Sequence, residues 1–314
     1  MTGKSAKALA ISKMIPIFRV RGLLWRNNEA DTLWPTAAGV VLLGKNPALK
    51  YVQCEVLADQ YSDTRITSRP LAQVQYSGPI PHLIREILAF VERHTEHPTR
   101  VVGINNITLA EYPKRAVREV LVNAFAHRDY EDASRKIRIE IFKDRLVVSS
   151  PGYPPKPLTL AKLRSGKYES CRRNPVIAEC LASQKLMEQR GTGFERIRAA
   201  MQDHGLDAHL LEQRGGYFKV ILPGPDGDFN RIRTPAEARG LVKPSVQARM
   251  NERQKQIMLH VQTEGSVTSG WCRLKFGVTY NTAYRDLSGL VELGLLTQVG
   301  KGRATRYELR WERS

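Results

Sequence analysis

The segment Lys136-Ile-Arg-Ile-Glu-Ile-Phe142 alternates charged and apolar side chains. A period of two puts Ile137, Ile139 and Ile141 on one face of a strand and Arg138 and Glu140 on the other, so one face is buried and the register is fixed. Lys143-Asp-Arg145 turns the chain into Leu146-Val-Val-Ser149, and the whole predicts a β-hairpin. A helix precedes it. Pro113 opens that helix, Ala116, Val117, Val120, Leu121 and Ala124 form its buried stripe, and it ends near Asp129-Tyr130.

The same helix carries a polar row. Glu119 and Asn123 lie four residues apart on one face, with His127 a further turn along. Taken alone, such a row caps or bridges neighbouring elements, and His127 reads as part of a structural network with Arg128 and Asp129. The residues beyond the hairpin narrow the choice. They comprise the turn Ser150-Pro-Gly152 and then Gly191-Thr-Gly193 just before a helix, where bare backbone N–H groups and the helix dipole can receive phosphate oxygens.

In this order the stretches Ala116–Tyr130, Ser149-Ser-Pro-Gly152, Arg173-Asn-Pro175 and Arg190-Gly-Thr-Gly-Phe194 resemble the GHKL ATPase superfamily. The likeness is to the divergent HATPase-type ATP-binding domain of bacterial and archaeal transcriptional regulators. It covers residues 79–223 and extends to Thr36–Pro47, which is similar to the tail of a Schlafen-type AlbA domain whose upstream part the sequence does not contain. The resemblance implies a Bergerat-type α/β sandwich with ATP and Mg²⁺ as cofactors. Asn123 would hold the Mg²⁺, and Glu119 would be the catalytic residue that orients or deprotonates an attacking water. Gly191, Thr192 and Gly193 would line the phosphate end. Ser150 and Gly152 would belong to the cofactor-binding set. Ser150 stands where better-known members have an aspartate that accepts the adenine N6 hydrogen, and loss of charge assistance there costs on the order of 1–2 kcal/mol and relaxes selectivity. A nucleotide sensor, at most a weak ATPase, is the expectation.

The C-terminal stretch has its own order. Asn251 caps a helix through Val261 that ends before Gly265, a short helix covers Ser269 to Phe276, and Gly277-Val278 turns into a third helix over Thr279–Leu293. Val278, Ala283, Leu287, Leu290 and Leu293 face inward. Gly294–Val299 and Thr305–Leu309 flank a basic tip at Gly300-Lys-Gly-Arg303. The segment resembles the winged helix-turn-helix domains of bacterial regulators. That likeness implies that Thr279, Tyr280, Asn281, Thr282, Tyr284 and Arg285 face the major groove of double-stranded DNA, with Asn281, Thr282 and Arg285 reading bases. Lys301, Arg303 and Arg306 would reach phosphates or the minor groove. A winged helix used for protein contacts is the plainer alternative.

The expected class is therefore α+β, with four segments. Residues 1–78 form a small α/β region that begins in a loose polar arm and includes a buried helix from Thr36 to Pro47 and a strand at Tyr51–Leu57. Residues 79–223 form the ATP-binding domain, starting with an amphipathic helix from Pro79 to about Glu96, with further helices at Pro175–Met187 and from Gly193 to about Met201 and a strand at Tyr217–Leu222. Residues 224–248 have the composition of a linker, and 249–314 form the winged helix.

Lys and Arg number 49 against 31 Asp and Glu, a net charge of +18, which points to a polyanionic partner. Cys54, Cys171, Cys180 and Cys272 are scattered without metal-ligand spacing and read as reduced thiols. No apolar run reaches the ~18 residues of a membrane span, and no secretory leader precedes the chain, so a cytoplasmic protein without membrane contact is expected. No phosphoacceptor-histidine helix stands in the register of a sensor kinase. The sequence thus suggests a DNA-binding regulator governed by nucleotide state, pairing as a homodimer; the alternative is an ATPase or nucleic-acid-processing component of a phage-defence system, targeted by its winged helix.

Overall fold

The structure, a computed structural model, describes residues 13–66, 69–102, 105–166, 168–169, 171–187, 192–233, 246, 248–300, 302 and 305–309. Residues 13–20 form helix α1. Then come β1 (Leu24–Asn27), β2 (Thr32–Pro35), α2 (Ala37–Leu43), β3 (Glu55–Gln60), β4 (Ala72–Ser77), α3 (Ile80–His94), β5 (Thr99–Val102) and β6 (Asn105–Thr108). The middle of the chain holds α4 (Lys114–His127), β7 (Ile137–Ile141), β8 (Arg145–Pro151), α5 (Leu160–Ser165), α6 (Pro175–Ser183), α7 (Gly193–His204), β9 (Leu210–Arg214) and β10 (Tyr217–Pro223). The last elements are α8 (Glu252–Glu264), β11 (Ser266–Val267), α9 (Ser269–Phe276), α10 (Tyr280–Glu292), β12 (Leu296–Val299) and β13 (Arg306–Leu309). Two compact units result. One takes the described residues before Pro98 and those from Ala110 to Arg233; the other takes Pro98–Leu109 and the described residues after Arg233.

The hairpin read from the alternation at 136–149 is the centre of the first unit. β7 pairs antiparallel with β8, opposing Ile139 to Val148, and parallel with β3, opposing Ile139 to Ala58. β8 continues to β10 and β10 to β9, giving a mixed six-stranded sheet of order β4-β3-β7-β8-β10-β9. One row across it reads Ala58, Ile139, Val148, Val220 and Leu211, all buried. Helices α3, α4, α6 and α7 complete that core, α3 through Leu83, Ile87 and Phe90 and α4 through Val120, Leu121 and Phe125. Each such side chain contributes roughly 1.5–3 kcal/mol when fully buried. The α+β class read from the sequence is the one observed.

Several expectations change. The segments 1–78 and 79–223 do not form separate bodies: β3 is hydrogen-bonded on both sides, by β4 and by β7, so β3 and β4 belong to the sheet of the middle segment. The first unit also runs ten residues past Pro223, to Arg233. The strand expected at Tyr51–Leu57 starts only at Glu55, because Val52–Cys54 form a 3₁₀ turn from which Gln53 Nε2 donates to Tyr130 O at 2.8 Å. Helix α6 stops at Ser183 because Lys185 takes φ 57° and Leu186 N closes back on Leu181 O at 2.9 Å, a left-handed stop. Of the loose arm expected over about the first fifteen residues, 1–12 lie outside the described residues, as does most of the linker, whereas 13–15 belong to helix α1.

In the second unit Asn251 and Gln254 form a reciprocal capping box at the start of α8, Thr268 caps α9 and Thr279 caps α10. The strands form a sheet of order β11-β13-β12. Ile257, Val261, Cys272, Leu287, Leu290, Leu296 and Tyr307 make its core. Asp286 is buried there and accepts from Asn251 Nδ2 at 2.8 Å and Arg253 Nε at 2.7 Å. Among the described residues no helix is long and apolar enough to cross a membrane.

Candidate functional site

Helix α4 meets the sheet through its apolar stripe and meets α7 through its polar row. Glu119 and Asn123 both lie at the junction with the first turn of α7, and there the backbone comes very close. A Cβ placed on Gly193 would stand 2.7 Å from Glu119 Oε1, close enough to force a displacement, and a tight 3.1 Å from Asn123 Nδ2. Glycine is what lets the helix start against these two polar groups. Arg196, one turn into α7, donates from Nη2 to Glu119 Oε1 at 3.0 Å, and Asn123 Nδ2 lies 3.4 Å from the same oxygen.

This junction borders a solvent-open cleft of about 1050 Å³. Val120, Val148, Leu163, Tyr168, Phe194, Phe218 and Val220 give it an apolar wall, and Glu119, Asn123, His127, Ser150 and Arg172 give it polar points. An apolar cleft with few convergent polar groups is the usual form of a small-molecule site. Ser150 is buried and donates its hydroxyl proton to Ala124 O at 2.8 Å. Its lone pairs alone are left to meet a ligand, so it offers an acceptor. Burial first, then the nearby Arg173 and Arg172, pushes the His127 imidazole below its usual range and keeps it neutral.

The turn after β8 is fixed from outside the cleft. Gly152 takes φ 97°, and a Cβ there would lie 2.3 Å from Arg173 Nη1 and 2.6 Å from Asp129 Cβ. Arg173 pairs with Asp129 at 2.9 Å. Asn174 Nδ2 donates to Ala126 O at 3.1 Å and Arg128 O at 2.7 Å, satisfying carbonyls at the end of α4. Arg128 is wholly buried and spends its guanidinium on the carbonyls of Asp129, Asp132 and Arg135. The structural network expected around His127 therefore forms around Arg128, and His127 borders the cleft instead.

Of the residues read from the sequence, the structure brings Glu119, Asn123, Ser150, Gly152 and Gly193 to one cleft. Thr192 precedes α7 without a side-chain cap bond, and Gly191 lies outside the described residues. Sequence reasoning missed Arg196, Asn174 and the aromatic wall. Arg196 had a signal, standing three residues after Gly193 and so on the same side of the helix; Phe218 and Tyr168 come from distant segments and had none.

On α10, Thr279, Tyr280, Asn281, Tyr284 and Arg285 are exposed and Thr282 is half-buried, with its backbone N–H and hydroxyl turned to Thr279 Oγ1. Tyr280 and Tyr284 stack at 6.2 Å. Arg306 is exposed and paired with Glu308 at 2.6 Å, so it is already engaged within β13. Lys301 and Arg303 lie outside the described residues.

One protein family matches part of the chain. Residues 134–222 match the family described as "Putative ATP-dependent DNA helicase recG C-terminal", and the middle of the chain is in this respect similar to an ATPase-type domain. The crystal structure of the DIP2311 protein from Corynebacterium diphtheriae is similar in fold, with a TM-score of 0.56 and 20% identity over 93% of this chain and 56% of that one. The chain thus spans little more than half the length of that protein. No curated protein matches the sequence.

The cleft fits a nucleotide on its own geometry. It presents an acceptor at Ser150, the first turn of α7 at its border and, at Asn123, an amide whose Nδ2 faces Glu119 and leaves Oδ1 for a cation. Mg²⁺ takes few protein ligands and completes its shell with phosphate oxygens and water.

Proposed function

We propose that the first unit binds a Mg²⁺-nucleotide, with ATP as the natural occupant, and that the chain is a DNA-binding transcriptional regulator whose hold on DNA depends on that occupancy. The observation that carries the nucleotide reading is the meeting of Glu119 and Asn123 with the first turn of α7, at a cleft that Ser150 also lines. The family match over 134–222 supports it. Asn123 would hold the cation, Gly193 and Thr192 the phosphate end, and Ser150 and Gly152 the base end. The bound cation would screen phosphate charge. Glu119 is held by Arg196, and this supports tight holding of the nucleotide over rapid turnover.

The DNA reading draws support from the order α8-α9-α10 followed by β12 and β13, which suits a winged helix, and from the net charge of +18. Thr279, Tyr280, Asn281, Tyr284 and Arg285 would face the major groove, with Thr282 beside them, and Lys301, Arg303 and Arg306 would contact the backbone. Arg306 would have to leave Glu308 to do so. Two copies pairing on the operator complete the reading.

Calorimetry of the full chain with ATP and Mg²⁺ tests the first part: Asn123→Ala should abolish most of the heat, and equal binding by parent and variant sinks it. For the second, Arg285→Ala and Arg303→Ala should lower DNA retention, with Arg303→Ala also flattening its salt dependence by about one phosphate contact. Unchanged retention removes the DNA part. ATP turnover measured with and without DNA separates a sensor from an enzyme.

A further inference from the structure

Three side chains at the cleft depend on one another in series. A Glu119 carboxylate only accepts hydrogen bonds, so the Asn123 atom facing it at 3.4 Å is the donor Nδ2, and Oδ1 is the end left over. A carboxamide whose carboxylate neighbour moved away would lose that discrimination and could turn Nδ2, which repels a cation, toward the ligand. Glu119 is in turn pinned from α7. Arg196 Nη2 holds its Oε1 at 3.0 Å, with the Arg196 side chain 23% and the Glu119 side chain 15% exposed, so water competes little for either. The backbone at Gly193 also lies close to the same oxygen.

We propose that Arg196 is a positioning residue: through Glu119 it sets the Asn123 amide with Oδ1 available to a divalent cation, and so controls the cation-dependent part of nucleotide binding. The inference rests on the reading of the cleft as a nucleotide site. Groups that orient a metal ligand from behind typically change metal affinity by roughly 10–100-fold. A residue that merely ties α7 to α4 would behave differently. Its loss would weaken nucleotide binding alike with and without the cation.

The test titrates the full chain with ATP, once with Mg²⁺ and once with a chelator, for the parent, Arg196→Ala, Arg196→Lys and Glu119→Gln. Arg196→Ala should lose roughly 10–100-fold of the Mg²⁺-ATP affinity and keep its chelator affinity within about twofold. Arg196→Lys, which restores a cation to Glu119, should recover most of the loss. Glu119→Gln keeps the shape but offers both a donor and an acceptor to Asn123, and should reproduce the Arg196→Ala loss. With Mn²⁺ in place of Mg²⁺, the water-proton relaxation enhancement of the protein–ATP complex should fall in the same variants. Equal losses with and without cation, or none, overturn the proposal. So does a parent that binds ATP equally in both conditions, while the nucleotide reading survives. A parent that binds no nucleotide in either condition removes both.

Discussion

Replacing Gly193 by alanine sets two effects of opposite sign against each other. Helix propensity alone favours the change by up to ~1 kcal/mol, since alanine loses less backbone freedom on entering a helix. The structure opposes it. The new Cβ would lie 2.7 Å from Glu119 Oε1 and 3.1 Å from Asn123 Nδ2. A free glutamate could swing aside at little cost, but this one is tied to Arg196 at 3.0 Å. A hydrogen bond to a charged group contributes about 1.5–3 kcal/mol, and displacement of Oε1 forfeits most of it. The net expectation is destabilisation by about 0.5–2 kcal/mol, read as a lower urea midpoint with unchanged slope. In an Arg196→Ala background the carboxylate is already loose, so the same substitution should cost about 1 kcal/mol less. A Gly193→Ala protein more stable than its parent, with no coupling to Arg196, would refute the packing argument for this junction.

Ser150→Ala removes the bond to Ala124 O and the acceptor in the cleft; stability should fall by about 1 kcal/mol and ATP affinity by roughly five- to thirtyfold, measured by urea unfolding and calorimetry. Asp286→Ala strips Asn251 and Arg253 of their buried acceptor and should destabilise the second unit by about 2–3 kcal/mol, seen as a lower transition temperature. Burial, with Arg198 adding to it, lowers the His209 pKa from 6.5 to about 4 in the folded protein, so between those values the unfolded chain binds the extra proton. Stability should therefore fall as pH drops through that window, His127 and His204 acting in the same direction, and a His209→Phe chain should show a shallower decline.

Periodicity and caps carried most of what could be read from the sequence. The alternation of Ile137, Ile139 and Ile141 gave β7 its buried face, the stripe from Ile80 to Val91 gave α3, and Asn251 marked the start of α8. Strands without such marks escaped. β4 buries no residue fully, alternating half-buried Ala72, Val74 and Tyr76 with exposed Gln73, Gln75 and Ser77, and β9 exposes Leu210, Glu212, Gln213 and Arg214; both are edges of the sheet. Glu119, Asn123 and Gly193 were legible as a row and a glycine, and Arg196 stood on the same side of its helix as Gly193, yet its pairing with Glu119 became visible only once α7 lay against α4, because nothing local marks a partner 77 residues away. The same applies to Asn174, whose role is set by carbonyls at the far end of another helix.

The parallel pairing of β3 with β7 joins strands separated by some eighty residues, and between them lie α3, the β5–β6 hairpin and α4. Contacts this far apart close late and slowly. A chain emerging from the ribosome therefore carries β3 and β4 as an unfinished pair until β7 arrives. Conversely, a fragment cut to begin at residue 79 would leave Ile137–Ile141 as a bare edge of alternating isoleucines, the kind of edge that recruits other chains. Such a truncation would aggregate, and its failure to bind nucleotide would say nothing about the cleft.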